Sequence, residues 1–523
     1  MTDTTGHAED ALAEIWRDVL GIERVDGDAD FFALGGDSLL ALKVIGAAAE
    51  RGMHLTLVDL FRNPTVRGMC SALGAEPEDD TAELLSPEDR ALVPASAERV
   101  HPATRLQLGL IYESLLSGGE LYHAAVSRVV DRPLVEETLA KALATVSARH
   151  PALRSGFDLV SFSEAMQVVE KQATIPLEVA DHRGLAEDAV ADRHEQVMAS
   201  LGQPFDPETA PLIRVHAAAL DDRSFRFSHA FHHAIMDGWS ESLFVSEVVR
   251  VYAALLDGGS VDLGKPAPAE DYVRLERAAL RDTDARAYFE GLRPHLGAEP
   301  PSATPDFRKI GFVLPSDLTA ALSKRSASWG VPLKSLMLVT HAAAVASLTG
   351  NPAPVIGIPV SGRPEVTGAD LTIGLFLNYL PLRLPVTDGT WREAADSALA
   401  AENTLLPYRR FPDSEVRKLL GRRPFDSAFN YVHFHARDSL LEAGLLRPEE
   451  DMRERAEFPI RIETLNEPRA GGVHCEITVD LTRHGNDALD RLRDDLLTAA
   501  DRLAGSPADS VSLPGAAFDR SKA

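Results

Sequence analysis

Apolar residues return at helical spacing near the start of the chain. In "ALAEIWRDVLGI", Leu12, Ile15, Trp16, Val19 and Leu20 share one side of a helix. An acidic loop, "ERVDGDADFFALGGD", follows. A second helix is expected from about Ser38, with Leu39, Leu42, Gly46 and Ala49 along one side. "LTLVDLF" reads as a short third helix, and Asn63 as the cap of a fourth with Pro64 in its first turn. Residues 1–75 thus make a compact four-helix bundle. Residues 76–97 are acidic, proline-rich and without period, which predicts a linker holding at most one short helix. Beyond it the pattern turns mixed α/β. Strands are expected at "HAAVSRVVD", "LIRVHAAAL", "SFRFSHAFHHAI", "PVIGIPVSG" and "GGVHCEITVDLT". Helices are expected at "VEETLAKALATVSARH", "SESLFVSEVVRVYAALL", "LKSLMLVTHAAAVASL" and "ALDRLRDDLLTAADRL". The break at 257–271 divides this region into lobes of 98–268 and 269–505, and 506–523 reads as a tail or linker.

Composition narrows the function classes. Of 523 residues, 45% are hydrophobic and 25% charged, ordinary for a globular chain. A net charge of −26 repels phosphate backbones, so no nucleic-acid partner is expected. Cys70 and Cys475 stand alone, which suggests neither a disulfide framework nor a zinc knuckle and fits a reducing cytoplasm. The N-terminus lacks a signal-peptide pattern, and no apolar run is long enough to span a bilayer.

Candidate chemistry begins at "FALGGDSLLALKV". A phosphate ester is favoured at a helix N-terminus, where free N–H groups and the helix dipole meet it, and Gly35 and Gly36 leave the approach to Ser38 open. An ordinary turn capped by Asp37 or Ser38 is the simpler alternative. The wider stretch "DADFFALGGDSLLALKVI", with the later "DLFRNPTV", resembles the peptidyl carrier proteins of nonribosomal peptide synthetases. The resemblance implies that Ser38 carries 4′-phosphopantetheine, installed by a phosphopantetheinyl transferase. Its thiol would hold an amino acid or peptide as a thioester, loaded with the help of an adenylation domain.

The second candidate is "RFSHAFHHAIMDGWS". Strand alternation sends Phe225, Phe227, His229, Phe231 and His233 to one face and His232 to the other. Only one of the adjacent histidines can face a given cleft. The strand is expected to run to Asp237-Gly238, where a helix begins. The bland alternative is two buried, hydrogen-bonded histidines, Asp237 as a helix cap and Gly238 as a turn residue. Divergent histidines with no third ligand do not suggest a metal.

"HHAIMDG" resembles the HHxxxDG motif of condensation domains, relatives of chloramphenicol acetyltransferase. "ARHPALRSGF", "PVSGR", "IGLFLNYLPLRL" and "FNYVHF" resemble other segments of that family, in order; "ATRLQLGLIYESLL" and "AEDYVRL" do so loosely. The resemblance implies an all-α four-helix carrier bundle followed by a two-lobed α/β chloramphenicol acetyltransferase-like condensation domain, with its active site between the lobes. An amine on a downstream acceptor carrier would attack the donor thioester, helped by proximity. His233 would act as general base or position the amine, and the Gly238 N–H would meet the developing oxyanion. Asp237 would pair with Arg363, His232 would be structural, and Asn430 would help to position substrate. Trp239 and Ser240 read as packing and capping residues.

Rival expectations are an epimerisation domain, which typically reads DGxSW where this chain has "DGWS"; a non-catalytic partner-recruiting domain of the same fold; and a free-standing acetyltransferase. "LQLGLIYESLL" is closer to the opening motif of domains taking a D-configured donor, although no epimerisation domain intervenes. A glycine donor preceded by a D residue reconciles the two.

Overall fold

The computed structural model describes residues 2–36, 38–74, 83–296, 304–386, 389–432, 435–455, 457–467 and 472–505. The tail at 506–523, residues 75–82 of the acidic stretch, and Asp37 lie outside the described residues. The expected order is present: an all-helical bundle, then a two-lobed α/β unit.

The bundle consists of α1 (Thr2–Leu20), α2 (Ser38–Glu50), α3 (Leu57–Arg62) and α4 (Val66–Ser71). Its core is the predicted stripe of α1, Leu12, Ile15 and Trp16, closed over Phe31, Leu42, Ile45, Leu60 and Met69. Trp16 meets the Phe31 ring edge-on at 4.9 Å. The loop before α2 folds tightly onto this core. A Cβ at Gly36 would stand 2.3 Å from Phe31, so only glycine fits there. The fourth helix differs from expectation. Asn63 closes α3, its N–H donating to the Asp59 carbonyl at 2.9 Å. Thr65, in extended conformation, caps α4 by accepting from Gly68 N–H. Both residues are cap formers; the backbone hydrogen bond that ends α3 decides between them.

A short helix, α5 (Pro87–Arg90), lies in the connecting stretch. The first lobe then brings β1 (Ala97–Pro102), α6 (Arg105–Leu116), β2 (His123–Val130), α7 (Glu136–Arg149), β3 (Ser155–Asp158), β4 (Met166–Glu170), β5 (Leu177–Asp181), α8 (Glu187–Leu201), β6 (Ile213–Ala219), β7 (Phe225–His232) and α9 (Gly238–Leu256). Strands of the second lobe are β8 (Phe307–Val313), β9 (Val355–Ser361), β10 (Leu377–Arg383), β11 (Ser427–Val432), β13 (Ile460–Glu467) and β14 (Gly472–Asp480). They form one mixed sheet in the order β10-β9-β11-β13-β14-β8. The helices Leu333–Thr349 and Ala488–Gly505 share the apolar core of that sheet.

The strand β12 (Leu446–Glu454) departs from a division at residue 268. It leaves the second half of the chain and completes the first lobe's sheet, in the order β12-β2-β7-β6-β5. Its register sets Glu450 opposite Arg128 and Glu454 opposite Ala124. Arg128, itself buried, pairs with Glu450 at 2.8 Å. On the other face His194 and Arg453 hold Asp451, at 2.8 Å each. The lobes are therefore stitched together by backbone ladder and ion pairs.

Candidate active site

The histidine motif lies where β7 meets α9. The strand stops at His232 rather than running to Asp237; the chain turns through 233–235 before α9 opens at Gly238. The turn is held from three sides. His233 N–H donates to the Tyr122 carbonyl at 2.8 Å. Gln107 on α6 donates to the Ala234 carbonyl at 3.0 Å. Asp237 N–H donates to the Gly374 carbonyl at 3.1 Å. Tyr122 has a φ of 62°, a left-handed conformation that a bulky side chain adopts only where its surroundings impose it.

The two histidines diverge as alternation requires. His232 is buried and packs on the His123 ring, centroids 4.7 Å apart. Burial pushes its pKa down to about 3, with the neighbouring His123 and His233 rings acting the same way, so it stays neutral. His233 turns to the opposite face and is only half-buried. From Phe227 to Val249 every residue is buried except His233 and Gly238. The His233 side chain keeps 16% of its surface accessible. Its Nδ1 lies 3.2 Å from the Met236 carbonyl, which fixes a proton there and leaves Nε2 as the acceptor, buried and without an aligned hydrogen-bond partner among the described residues.

Asp237 caps α9. One carboxylate oxygen accepts from Ser240 N–H at 2.8 Å and from Arg363 at 3.2 Å; the other accepts from Phe376 N–H at 3.1 Å. Arg363 also donates to the carbonyls of Ala369 and Thr372 and to Ser240 Oγ, and lies over the Phe376 ring at 4.3 Å. Both partners are buried and saturated with hydrogen bonds, the condition under which a buried pair holds. Burial lowers the Arg363 pKa, and Asp237 opposes that shift. Ser240 is bonded within this loop, and Trp239 Nε1 donates to the Asp370 carbonyl at 2.9 Å.

Asn430 is on β11, where its amide donates to Glu463 Oε1 at 3.0 Å. Glu463 lies 2.7 Å from Arg461, Arg461 lies 3.3 Å from Glu454, and Glu454 lies 3.3 Å from His233 Nε2. The sequence does not single out Glu454 and Arg461. They sit in "RPEEDMRERAEFPIRIE", a charge-rich run that reads as a solvated edge; only the crossing of β12 brings Glu454 to the histidine.

Ser38 is the first residue of α2, directly after Gly36 and Asp37; its side chain lies outside the described part. The first turn of α2 carries no acidic side chain, and its N-terminal dipole favours a phosphate. The bundle rests on the loop that follows β9. Leu57 N–H donates to Glu365 at 2.6 Å, Thr367 Oγ1 donates to the Gly46 carbonyl at 3.0 Å, and Lys43 pairs with Asp370 at 3.5 Å. Burial opposes the charge of Glu365, but Arg409 and Arg410 outweigh it and hold its pKa below the ordinary value. The docking loop is thus the loop that carries Arg363 and accepts from Trp239.

Comparison with known proteins gives a consistent picture. The phosphopantetheine attachment site family matches residues 10–73, and the condensation domain family matches residues 97–522. The chain is similar to the AMB antimetabolite synthetase AmbE of Pseudomonas aeruginosa, 34% identical over 467 residues, covering 84% of this chain and 22% of that protein. It is also similar to gramicidin S synthase 2 of Brevibacillus brevis, 26% identical over 439 residues, covering 81% of this chain and 10% of that one. It therefore spans about a fifth or less of the length of these relatives. Among solved structures, the first condensation domain of the calcium-dependent antibiotic synthetase, in complex with substrate analogue 2a, shares the fold. The TM-score is 0.66 with 23% identity, over 80% of this chain and 100% of that one. The chain belongs to the condensation domain family, preceded in the same polypeptide by a phosphopantetheine attachment domain.

Proposed function

We propose that this chain forms amide bonds in nonribosomal peptide synthesis. The first domain presents an acyl donor, and the second joins it to the amine of an aminoacyl group borne by a downstream carrier. The observation that carries this reading is that, between Phe227 and Val249, His233 and Gly238 alone are only half-buried. A proton acceptor and a helix-start N–H reach the cleft together.

When attached at Ser38, 4′-phosphopantetheine supplies a thiol that holds the donor as a thioester on a long arm. Everything else is done by the chain. The amine nitrogen bonds to the acyl carbon and the carbon–sulfur bond breaks. The proton lost by nitrogen is accepted at His233 Nε2 and returned to the departing sulfur. The Gly238 N–H faces the negative charge that develops on the acyl oxygen. Asp237, locked to Arg363, holds both groups in register and takes no proton. His232 stays neutral behind the strand, and Asn430 orders the far wall through Glu463. Docking of the first domain on the Arg363 loop adds proximity. A phosphopantetheinyl transferase and an adenylation domain act upstream of this step. A cytoplasmic setting suits the two buried, unpaired cysteines.

The test is mass spectrometry of the Ser38-loaded chain mixed with an aminoacylated acceptor carrier. A dipeptide on the acceptor is expected, and none with Ser38→Ala. Inversion of the donor centre without transfer would make the second domain an epimerase; no change at all would make it a recruitment domain.

A further inference from the structure

The charges around the cleft face of His233 are more than amide-bond formation requires. Two cross-strand steps place Glu454 on the catalytic face: it is opposite Ala124 on β2, and Ala124 is opposite Phe231 on β7. Phe231 and His233 lie two residues apart, their rings 5.0 Å from one another. The carboxylate that results stands 3.3 Å from His233 Nε2. The contact is off the line of a good hydrogen bond, since Nε2 has no aligned partner among the described residues. When the ring is protonated the contact is an ion pair; when it is neutral the carboxylate lies beside the Nε2 lone pair and raises its affinity for a proton. Glu454 is shared with Arg461, and Arg461 is shared with Glu463, the acceptor of the Asn430 amide.

We infer that Glu454 is the positioning residue of His233, and that Arg461 sets how strongly it acts. Glu454 meets the imidazole and Arg461 meets Glu454, so the proton affinity of the ring is set by a pull from Glu454 that Arg461 restrains through that carboxylate. The directions of charge agree. Burial alone would lower the His233 pKa, but Glu454 outweighs it and the pKa is raised. Burial alone would raise that of Glu454, but His233 and Arg461 hold it at about 2. The other titratable groups facing the array are Tyr379 on β10, Glu457 just after β12, Asp237 beneath the loop, and His123 and His232 behind it. Tyr379 is kept neutral by burial, and the two rear histidines are kept neutral in the same way. Asp237 is committed to Arg363.

Because β12 comes from the other half of the chain, the basicity of His233 depends on that strand staying paired. A shift of β12 by one residue would turn Glu454 to the outer face and leave the imidazole without its counter-charge.

The inference rests on His233 being the proton acceptor, and the test separates the two ideas. The His233 titration midpoint is read by NMR on the ring-labelled full chain, and kcat/KM for dipeptide formation is followed against pH in the same variants. Glu454→Gln, an isosteric change, should move the His233 midpoint and the acid limb of kcat/KM to lower pH, and lower the plateau rate through a weaker base. Arg461→Gln should move both to higher pH. A folding defect cannot produce shifts of opposite sign. A midpoint that stays put, or moves the same way in both variants, overturns the inference. Midpoints that shift as expected while the rate limb stays fixed leave the role of Glu454 intact and remove His233 as the titrating catalytic group.

Discussion

Two charged assemblies hold the histidine turn, and water reaches only one of them. Behind the turn, Asp237 and Arg363 are 4% and 1% exposed, and every oxygen and nitrogen that matters has a partner. In front, Glu454 and Arg461 are 20% and 17% exposed, their contact is 3.3 Å, and Arg461 Nε has no hydrogen-bond partner among the described residues. The first has one arrangement available, so it fixes where Gly238 and His233 stand. The second has spare hydrogen-bonding capacity and a charge that bears directly on the imidazole. Fixed geometry and adjustable charge are supplied to one side chain by different residues.

The contrast can be broken at several points, with effects of decreasing size. Replacing His233 by Ala should cut dipeptide formation roughly 100- to 10,000-fold, the range of a lost general base, with no change in melting temperature. An equal loss from His232→Ala would erase the distinction between front and back. Asp237→Ala leaves a buried guanidinium uncompensated and should cost about 3–5 kcal/mol in denaturant unfolding as well as activity. Glu454→Gln should cost less than Asp237→Ala in unfolding, because water reaches the front array and Arg461 keeps Glu463 as a partner, so comparable unfolding costs in these two variants would contradict the contrast.

A smaller effect is written in the pH dependence of stability. Burial holds His232 and His341 at about 3, so the native state refuses protons that the unfolded chain accepts below about 6.5. Their contribution is complete above that pH and is lost as pH falls toward their folded values. The slope is up to about 1.4 kcal/mol per pH unit for each. His341→Gln should flatten the slope measured by unfolding between about pH 6.5 and about pH 4; an unaltered slope would mean that His341 already takes up its proton in the folded state. The smallest effect belongs to docking. Glu365→Gln weakens the contacts with Leu57, Arg409 and Arg410, worth about 1 kcal/mol net, and should slow transfer from the tethered domain roughly fivefold. It should not alter the His233 titration.

Local patterns bring much of this into view from the chain alone. The α1 stripe, the glycine pair before Ser38, the divergence of His232 and His233, and the Asp237 cap all depend on neighbours within a few residues, where helical and strand periods hold. The partnership of Asp237 with Arg363 is legible only through family resemblance, because it joins distant parts of the chain. Glu454 and Arg461 are not legible at all. A strand that leaves one lobe to complete the sheet of the other carries no local sign, and its alternation of Glu450, Met452 and Glu454 looks like any solvated edge. The cap of α4 escapes the sequence for a different reason: Asn63 and Thr65 both suit the role, and the choice depends on where α3 ends.

The central claim is that an arm rooted at Ser38 reaches His233 and not its neighbour. It can be tested by giving the Ser38 pantetheine a terminal chloroacetamide and replacing one histidine by cysteine. The new thiolate displaces chloride if it comes within reach, and the native Cys70 and Cys475 are buried. Rapid intramolecular crosslinking is expected with His233→Cys and none with His232→Cys. Equal crosslinking at both positions, or crosslinking at 232 alone, would contradict the claim.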